Sequence, residues 1–399
     1  MAANILDTID ARELGKELKY AREQRGLKQA EAAELINVAR TTLTAIEKGE
    51  RKIKVDELIE LARAYGRQVS DFVRQRPAIA PFQVQYRGPA KSADADQEKM
   101  TRAQRELEEL CRNYLELEEI TGMSLVTNYP PEYKITGLGA EQAAEDVAMQ
   151  ERNRLGLGDG PVPILRNILE EDVGLRIFYL PLSPSKFSEI YSYEQNLGGC
   201  LAINSLHPED RRRWSLAHGY AHFLVHRYQP SAYIEGVYKR EQFADYFAMH
   251  FLMPTSGLVR RYNKIYRSKG GMTPAGLCIL ANYYGVSVAA LTRRLEGMNL
   301  APRGTWERLK DNGFKVREAQ RQLGLPEIPA QAQKLPMRYQ YLAVAAYKEG
   351  LISEGQLARF LQVSRLEARG IAQVLLEHPT DITEDTVMDI DLERPIPNL

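Results

Sequence analysis

The segment His218-Gly219-Tyr220-Ala221-His222 constrains this chain more tightly than any other. Histidines four residues apart lie one above the other on a helix face, so both imidazoles can reach one cation. A third ligand must then come from another element. The apolar-periodic stretch Glu241-Gln242-Phe243-Ala244-Asp245 predicts a second helix that offers Glu241 as that ligand. Asp245, one turn on, is placed to hold the outer N–H of a ligating histidine. Five of the six histidines (His207, His218, His222, His226, His250) fall within residues 207 to 250, which marks this region as chemically special.

A chain of 399 residues predicts two to three domains, and a 44% hydrophobic content is ample for real cores. The 53 basic and 53 acidic side chains cancel, so no global field drives the chain toward nucleic acid or membrane. Any DNA binding must rest on a local patch. No run approaches the roughly 18 apolar residues of a membrane span, and Met1 to Asp7 carries no basic targeting segment. Cys111, Cys200 and Cys278 lie far apart without C-x-x-C spacing, which fits buried thiols in a reducing compartment. A cytoplasmic protein without a membrane partner is expected.

The predicted fold is mainly α with a small mixed β-sheet. Residues 11–75 read as a bundle of five short helices, punctuated by Gly26, Gly49 and Gly66. Residues 76–95, with Pro77, Pro81 and Pro89, read as a linker. From Gln97 to Thr121, Met100, Ala103, Leu107, Leu110, Tyr114 and Leu117 recur in alternating steps of three and four. That seam serves equally a helix docked on its own chain or a coiled-coil pair of two chains, and a homodimer is expected from the second use. Residues 76–130 thus form a linker and amphipathic helix. An α+β domain is predicted over 131–300, with strands near Leu175 to Tyr179, Glu189 to Tyr193 and Cys200 to Asn204. A helical region follows over 301–399.

The N-terminal bundle resembles the lambda-repressor-like, Xre-type helix-turn-helix family. Lys28-Gln29-Ala30-Glu31 stands where that family begins its second helix, and Val38 to Arg51 follows its recognition helix almost position by position. The resemblance implies that Gln29, Arg40, Thr41, Thr42 and Thr44 face the major groove of an operator in double-stranded DNA. Lys48, Arg51, Lys52 and Lys54 would lie near phosphates. The physical reading agrees, because residues at the start of a recognition helix reach base edges while amides and cations fix the backbone.

The middle of the chain resembles the ImmA/IrrE group of zinc peptidases, with a zincin-like fold. The resemblance runs from about Ala140 to Gly297, through Leu155 to Val162, Ala202-Ile203-Asn204-Ser205, Arg213 to His218, and Leu252-Met253-Pro254. It implies His218, His222 and Glu241 as zinc ligands and Asp245 as the carboxylate behind them. Position 219 departs from the family. The usual motif has glutamate after the first histidine, where it takes the proton from zinc-bound water. Gly219 cannot accept a proton, so no catalytic residue is assigned.

Two functions follow as expectations. The first is a DNA-binding transcriptional regulator whose peptidase-like domain serves as a sensor or partner-binding module. The second is a zinc endopeptidase that cleaves a repressor or antitoxin partner, against which Gly219 argues. On this reading Gly219→Glu restores cleavage and firms the helix, since glycine inside a helix costs about 1 kcal/mol relative to alanine.

Overall fold

The computed structural model describes residues 9–67, 69–73, 84–87, 94–131, 133, 139–184, 186–227, 237–326 and 333–376. The chain divides into two compact units, 1–78 and 79–399.

The first unit is the expected five-helix bundle: α1 (Ala11–Gln24), α2 (Gln29–Leu35), α3 (Arg40–Glu47), α4 (Val55–Tyr65) and α5 (Ser70–Val73). Its starts are chemically marked. Glu31 and Glu57 reach back to accept hydrogen bonds from the backbone N–H of Lys28 (2.7 Å) and Lys54 (3.0 Å), capping α2 and α4. Leu18, Leu43, Leu58 and Leu61 are buried at its centre. Each contributes about 1.5–3 kcal/mol by leaving water. Gly49 ends α3 in the left-handed region (φ 72°), and a Cβ there would lie 2.5 Å from the Arg12 Cα. Glycine is therefore needed both for the turn and for the close approach of α1.

The second unit is built on a four-stranded sheet of β1 (Val84–Arg87), β2 (Arg176–Leu180), β3 (Glu189–Glu194) and β4 (Gly198–Asn204), in the order β1-β3-β4-β2. β2 and β4 are parallel, while β3 runs antiparallel to both β4 and β1. The helices are α6 (Asp94–Thr121), α7 (Ala140–Arg154), α8 (Leu165–Asn167), α9 (Glu209–His226), α10 (Val237–Leu252), α11 (Thr255–Lys269), α12 (Pro274–Tyr284) and α13 (Val288–Gly297). After them come α14 (Thr305–Asp311), α15 (Val316–Gln322), α16 (Met337–Lys348), α17 (Glu354–Leu361) and α18 (Arg365–Leu376).

Strand alternation assigns the two faces of the sheet to two cores. Ile177, Tyr179, Tyr191, Leu201 and Ile203 pack with α7, α9, α10, α12 and α13. Phe178, Leu180, Ile190, Cys200 and Ala202, one residue out of phase, pack with α6, α16, α17 and α18. Sheet strands covered on both faces read as near-continuous apolar runs, as Gly198 to Asn204 does. The loop after α7 is held by one side chain. Arg152 donates to the carbonyls of Gly158 (2.8 Å), Gly160 (2.5 Å) and Phe251 (2.5 Å), and Gly156 and Gly158 turn the loop in the left-handed region (φ 65° and 56°).

Several expectations change. Residues 84–87, read as linker, form strand β1 of the sheet. Between α7 and β2 the chain is α-helical only at Leu165–Asn167 and continues as a π-helix over Ile168–Val173. The seam of α6 faces its own chain: Met100, Ala103, Leu107, Leu110, Tyr114 and Leu117 are all buried against the sheet and α16. It is therefore not available to a second copy. The acidic tail after Pro379 lies outside the described residues. Among the described residues, no single helix is long and apolar enough to cross a membrane. α12 and α13 pass such a test only as a pair bent by 104°, and Leu277, Leu280, Leu291 and Leu295 are buried in the core.

Candidate metal centre and nucleic-acid interface

Helix α9 turns His218 and His222 toward α10, with ring centroids 4.8 Å apart. Both are buried. Glu241, near the start of α10, places Oε2 3.4 Å from His218 Nε2 and Oε1 3.3 Å from His222 Nε2. Zinc bonds of 2.0–2.1 Å in a tetrahedron separate neighbouring donors by about 3.3 Å. The donor set and its spacing therefore fit a zinc ion held by His218, His222 and Glu241. Burial alone would raise the Glu241 carboxyl; the adjacent His218 and His222 imidazoles outweigh it and hold the group well below the usual range. Desolvation lowers the His222 pKa and so favours neutral imidazole, the form that binds metal.

Asp245 is not where sequence reasoning put it. Its Oδ1 lies 3.7 Å from His218 Nε2, on the ligand side of the ring, and 3.4 Å from Trp214 Nε1. The outer nitrogen instead meets Glu189 of β3, with Nδ1 and Oε1 2.7 Å apart. Glu189, His218 and His222 also form a cluster whose potential ligand atoms all lie within 4.8 Å of one another. Glu189 was missed because it stands 29 residues before His218 in sequence, in a strand whose pairing no local pattern reveals. Two strand positions on, Tyr191 lies over His222 with ring planes at 25°.

Gly219 faces the sheet. A Cβ at this position would lie 2.5 Å from Leu201 Cδ2 and 3.3 Å from Glu189 Oε1. Beside α9 is a cavity of about 450 Å³ whose lining includes Ile164, Tyr179, Glu209, Arg213 and Leu216. Its guanidinium is already committed: Arg213 donates to the carbonyls of Gly285, Pro163 and Val162. His250 belongs to another cluster, within 3.0 Å of Arg294 Nη2 and 3.2 Å of Glu145 Oε1.

In the first unit α3 buries Leu43 and Ile46 while Arg40, Thr41 and Lys48 are exposed and Thr42 and Thr44 are half-buried. Gln29 is not a free amide. Its Nε2 donates to Glu47 Oε2 at 2.8 Å, and its Oε1 accepts from Thr44 Oγ1 at 3.4 Å. Glu47 is in turn paired with buried Arg22, Nε to Oε1 at 2.5 Å. Arg51 makes a two-point ion pair with Glu57, at 2.9 and 2.8 Å, so one of the expected phosphate contacts already has a partner.

Comparisons with known proteins assign a family to each of two regions of the chain. Residues 18–72 match the helix-turn-helix family, and residues 170–296 match the IrrE N-terminal-like domain of the M78 peptidases. The chain thus joins an Xre-type helix-turn-helix domain to an ImmA/IrrE-type metallopeptidase-like domain. No curated protein matches it. Among solved structures, PlcR of Bacillus thuringiensis in complex with the peptide PapR7 and DNA is 12% identical, covering 92% of this chain and 95% of that one, with a TM-score of 0.16. The apo form of the competence regulator ComR from Streptococcus vestibularis is 13% identical, covering 80% and 100%, again with a TM-score of 0.16. At that score neither likeness carries an argument.

Proposed function

We propose that this protein is a DNA-binding transcriptional regulator whose metallopeptidase-like domain holds a zinc ion and acts as a sensor or partner-binding module without cutting peptides. Residues 11–75 read DNA in this scheme, and residues 131–300 contain the metal ligands. One observation carries the DNA-binding part: α3 keeps its apolar side chains in the bundle while Arg40, Thr41 and Lys48 point outward. Base contacts from Arg40 and Thr41 then select the operator, and Lys48 and the neighbouring cations supply phosphate contacts.

His218, His222 and Glu241 hold the zinc, which supplies a Lewis acid there. What the chain lacks is a proton acceptor at 219 to exploit it. The module therefore suits recognition of a repressor or antitoxin protein better than its cleavage. On a two-fold operator two copies place their reading heads about 34 Å apart. Because the α6 seam is spent inside the chain, such a homodimer pairs through another surface.

The test is selection of genomic DNA fragments by the purified protein, combined with metal analysis by mass spectrometry. Enrichment of one sequence and about one zinc per chain support the reading. Binding without sequence preference, or chelator-sensitive proteolysis by the unmodified protein, sinks it.

A further inference from the structure

We propose that Glu189 is a positioning residue for the metal centre: it fixes the His218 imidazole so that Nε2 faces Glu241. Glycine stands at 219, on this view, because the Glu189 carboxylate and Leu201 occupy the volume a side chain would need. The inference rests on the reading of His218, His222 and Glu241 as metal ligands.

The match between β3 and α9 is geometric. Two residues along a strand advance about 6.6 Å, and four along a helix about 6.0 Å. Glu189 and Tyr191, on one face of β3, thereby meet His218 and His222, on one face of α9. Leu201 pairs with Tyr191 across the β3–β4 ladder and fills the space under Gly219. The sheet thus presents a different side chain to each of the histidines, from β3, and to the glycine between them, from β4.

Glu189 is 1% exposed, and its Oε2 has no hydrogen-bond partner among the described residues. A buried carboxylate is tolerated only with a strong donor at hand. The imidazole Nδ1–H of His218 is that donor, at 2.7 Å. Donation through Nδ1 selects one tautomer of the neutral ring and leaves the Nε2 lone pair for a cation. Asp245, half-exposed and nearer to Nε2, does not fill this role. A side chain at 219 would press on the same Oε1, so Gly219 and Glu189 are two parts of one arrangement.

The test uses the full chain. Zinc affinity is measured by competition with a chromophoric chelator for the wild type, Glu189→Gln and Glu189→Leu. Glu189→Leu should weaken zinc binding about 10–100-fold. Glu189→Gln, whose amide oxygen still accepts from Nδ1–H, should lose less. Histidine ¹⁵N spectra of the metal-free protein give a readout independent of zinc: His218 should be the Nδ1–H tautomer in the wild type and shift toward Nε2–H in Glu189→Leu. A Glu189→Leu protein that melts at a lower temperature but binds zinc like the wild type overturns the proposal, as does a wild-type Nε2–H tautomer. If the wild type binds no zinc while the tautomers behave as expected, the ligand reading fails and the Glu189–His218 contact stands.

Discussion

Leu201 Cδ2 stands 2.5 Å from the point at which a side chain on Gly219 would begin. Sequence alone suggests that glutamate at 219 would rebuild a catalytic motif and stiffen α9. The packing argues against a stiffer helix, and with it against a simple rebuilding of the motif. Alanine in place of glycine gains about 1 kcal/mol of helix propensity, whereas overfilling a packed core costs about 1–3 kcal/mol. Leu201 is fully buried, so the second effect wins. Gly219→Ala and Gly219→Glu are expected to lower the melting temperature, and Gly219→Glu to leave peptidase activity absent. Adding Leu201→Ala to Gly219→Glu makes room and should recover part of the loss. A single Gly219→Glu protein that melts higher and cleaves in a zinc-dependent way would contradict this account.

Arg40→Ala with Thr41→Ala is expected to weaken operator binding far more than binding to random DNA, since base contacts discriminate and phosphate contacts do not. Fluorescence anisotropy on both DNAs checks it. Equal losses would assign the two side chains to the backbone.

Glu47→Ala should destabilise the first unit by about 1.5–3 kcal/mol, because it removes the carboxylate 2.5 Å from the buried Arg22 guanidinium and leaves it Glu23 at 3.6 Å and the Leu27 carbonyl. It also releases Gln29. Thermal melts should show the loss, and DNA affinity should fall with it. A melting temperature within a degree of wild type would mean that the pair is dispensable.

Leu107→Glu with Leu110→Glu was the natural way to split a coiled-coil dimer, but both leucines are fully buried inside the chain. The expected outcome is loss of folded structure in the second unit by circular dichroism. A well-folded variant with half the wild-type mass in light scattering would restore the seam to the surface.

His250 makes one contribution to the pH dependence that a single substitution can isolate. Burial first, and then the adjacent Arg294 charge, push its pKa down from 6.5 to about 4. The unfolded chain therefore binds more protons than the folded one between those values. The His250 contribution to stability rises with pH across that window and is lost as pH falls from about 6.5 toward 4, while buried Glu170, pushed up to about 7, contributes in the opposite sense. His250→Gln should flatten the melting-temperature profile in this range; an unchanged slope would place the effect elsewhere.

The legible parts of the molecule were those written in local periodicity. The helices carrying His218 and Glu241, the five-helix bundle and three of the four strands follow from apolar spacing and glycine stops. β1 was not legible, because Val84-Gln85-Tyr86-Arg87 is short and flanked by prolines, and only its pairing with β3 makes it a strand. Glu189 was hidden for a similar reason: its meaning lies in a contact between a strand and a helix. The α6 pattern was visible, but periodicity reports an apolar face without saying what covers it. Gln29 shows the same limit, since its ties to Glu47 and Thr44 depend on the crossing of α2 and α3.

The covering of the sheet by two cores has a consequence for how the protein is made. Its last strand ends at Asn204, but α16, which helps to close one face, begins at Met337. At about 5–20 residues per second, a ribosome needs on the order of ten seconds to cross that interval. During this time Phe178, Leu180 and Ala202 have α6 as a neighbour but not yet their final cover. Synthesis halted near residue 300 would release a chain with this apolar surface only partly covered, a ready target for chaperones or for aggregation, even though His218, His222 and Glu241 had already been translated.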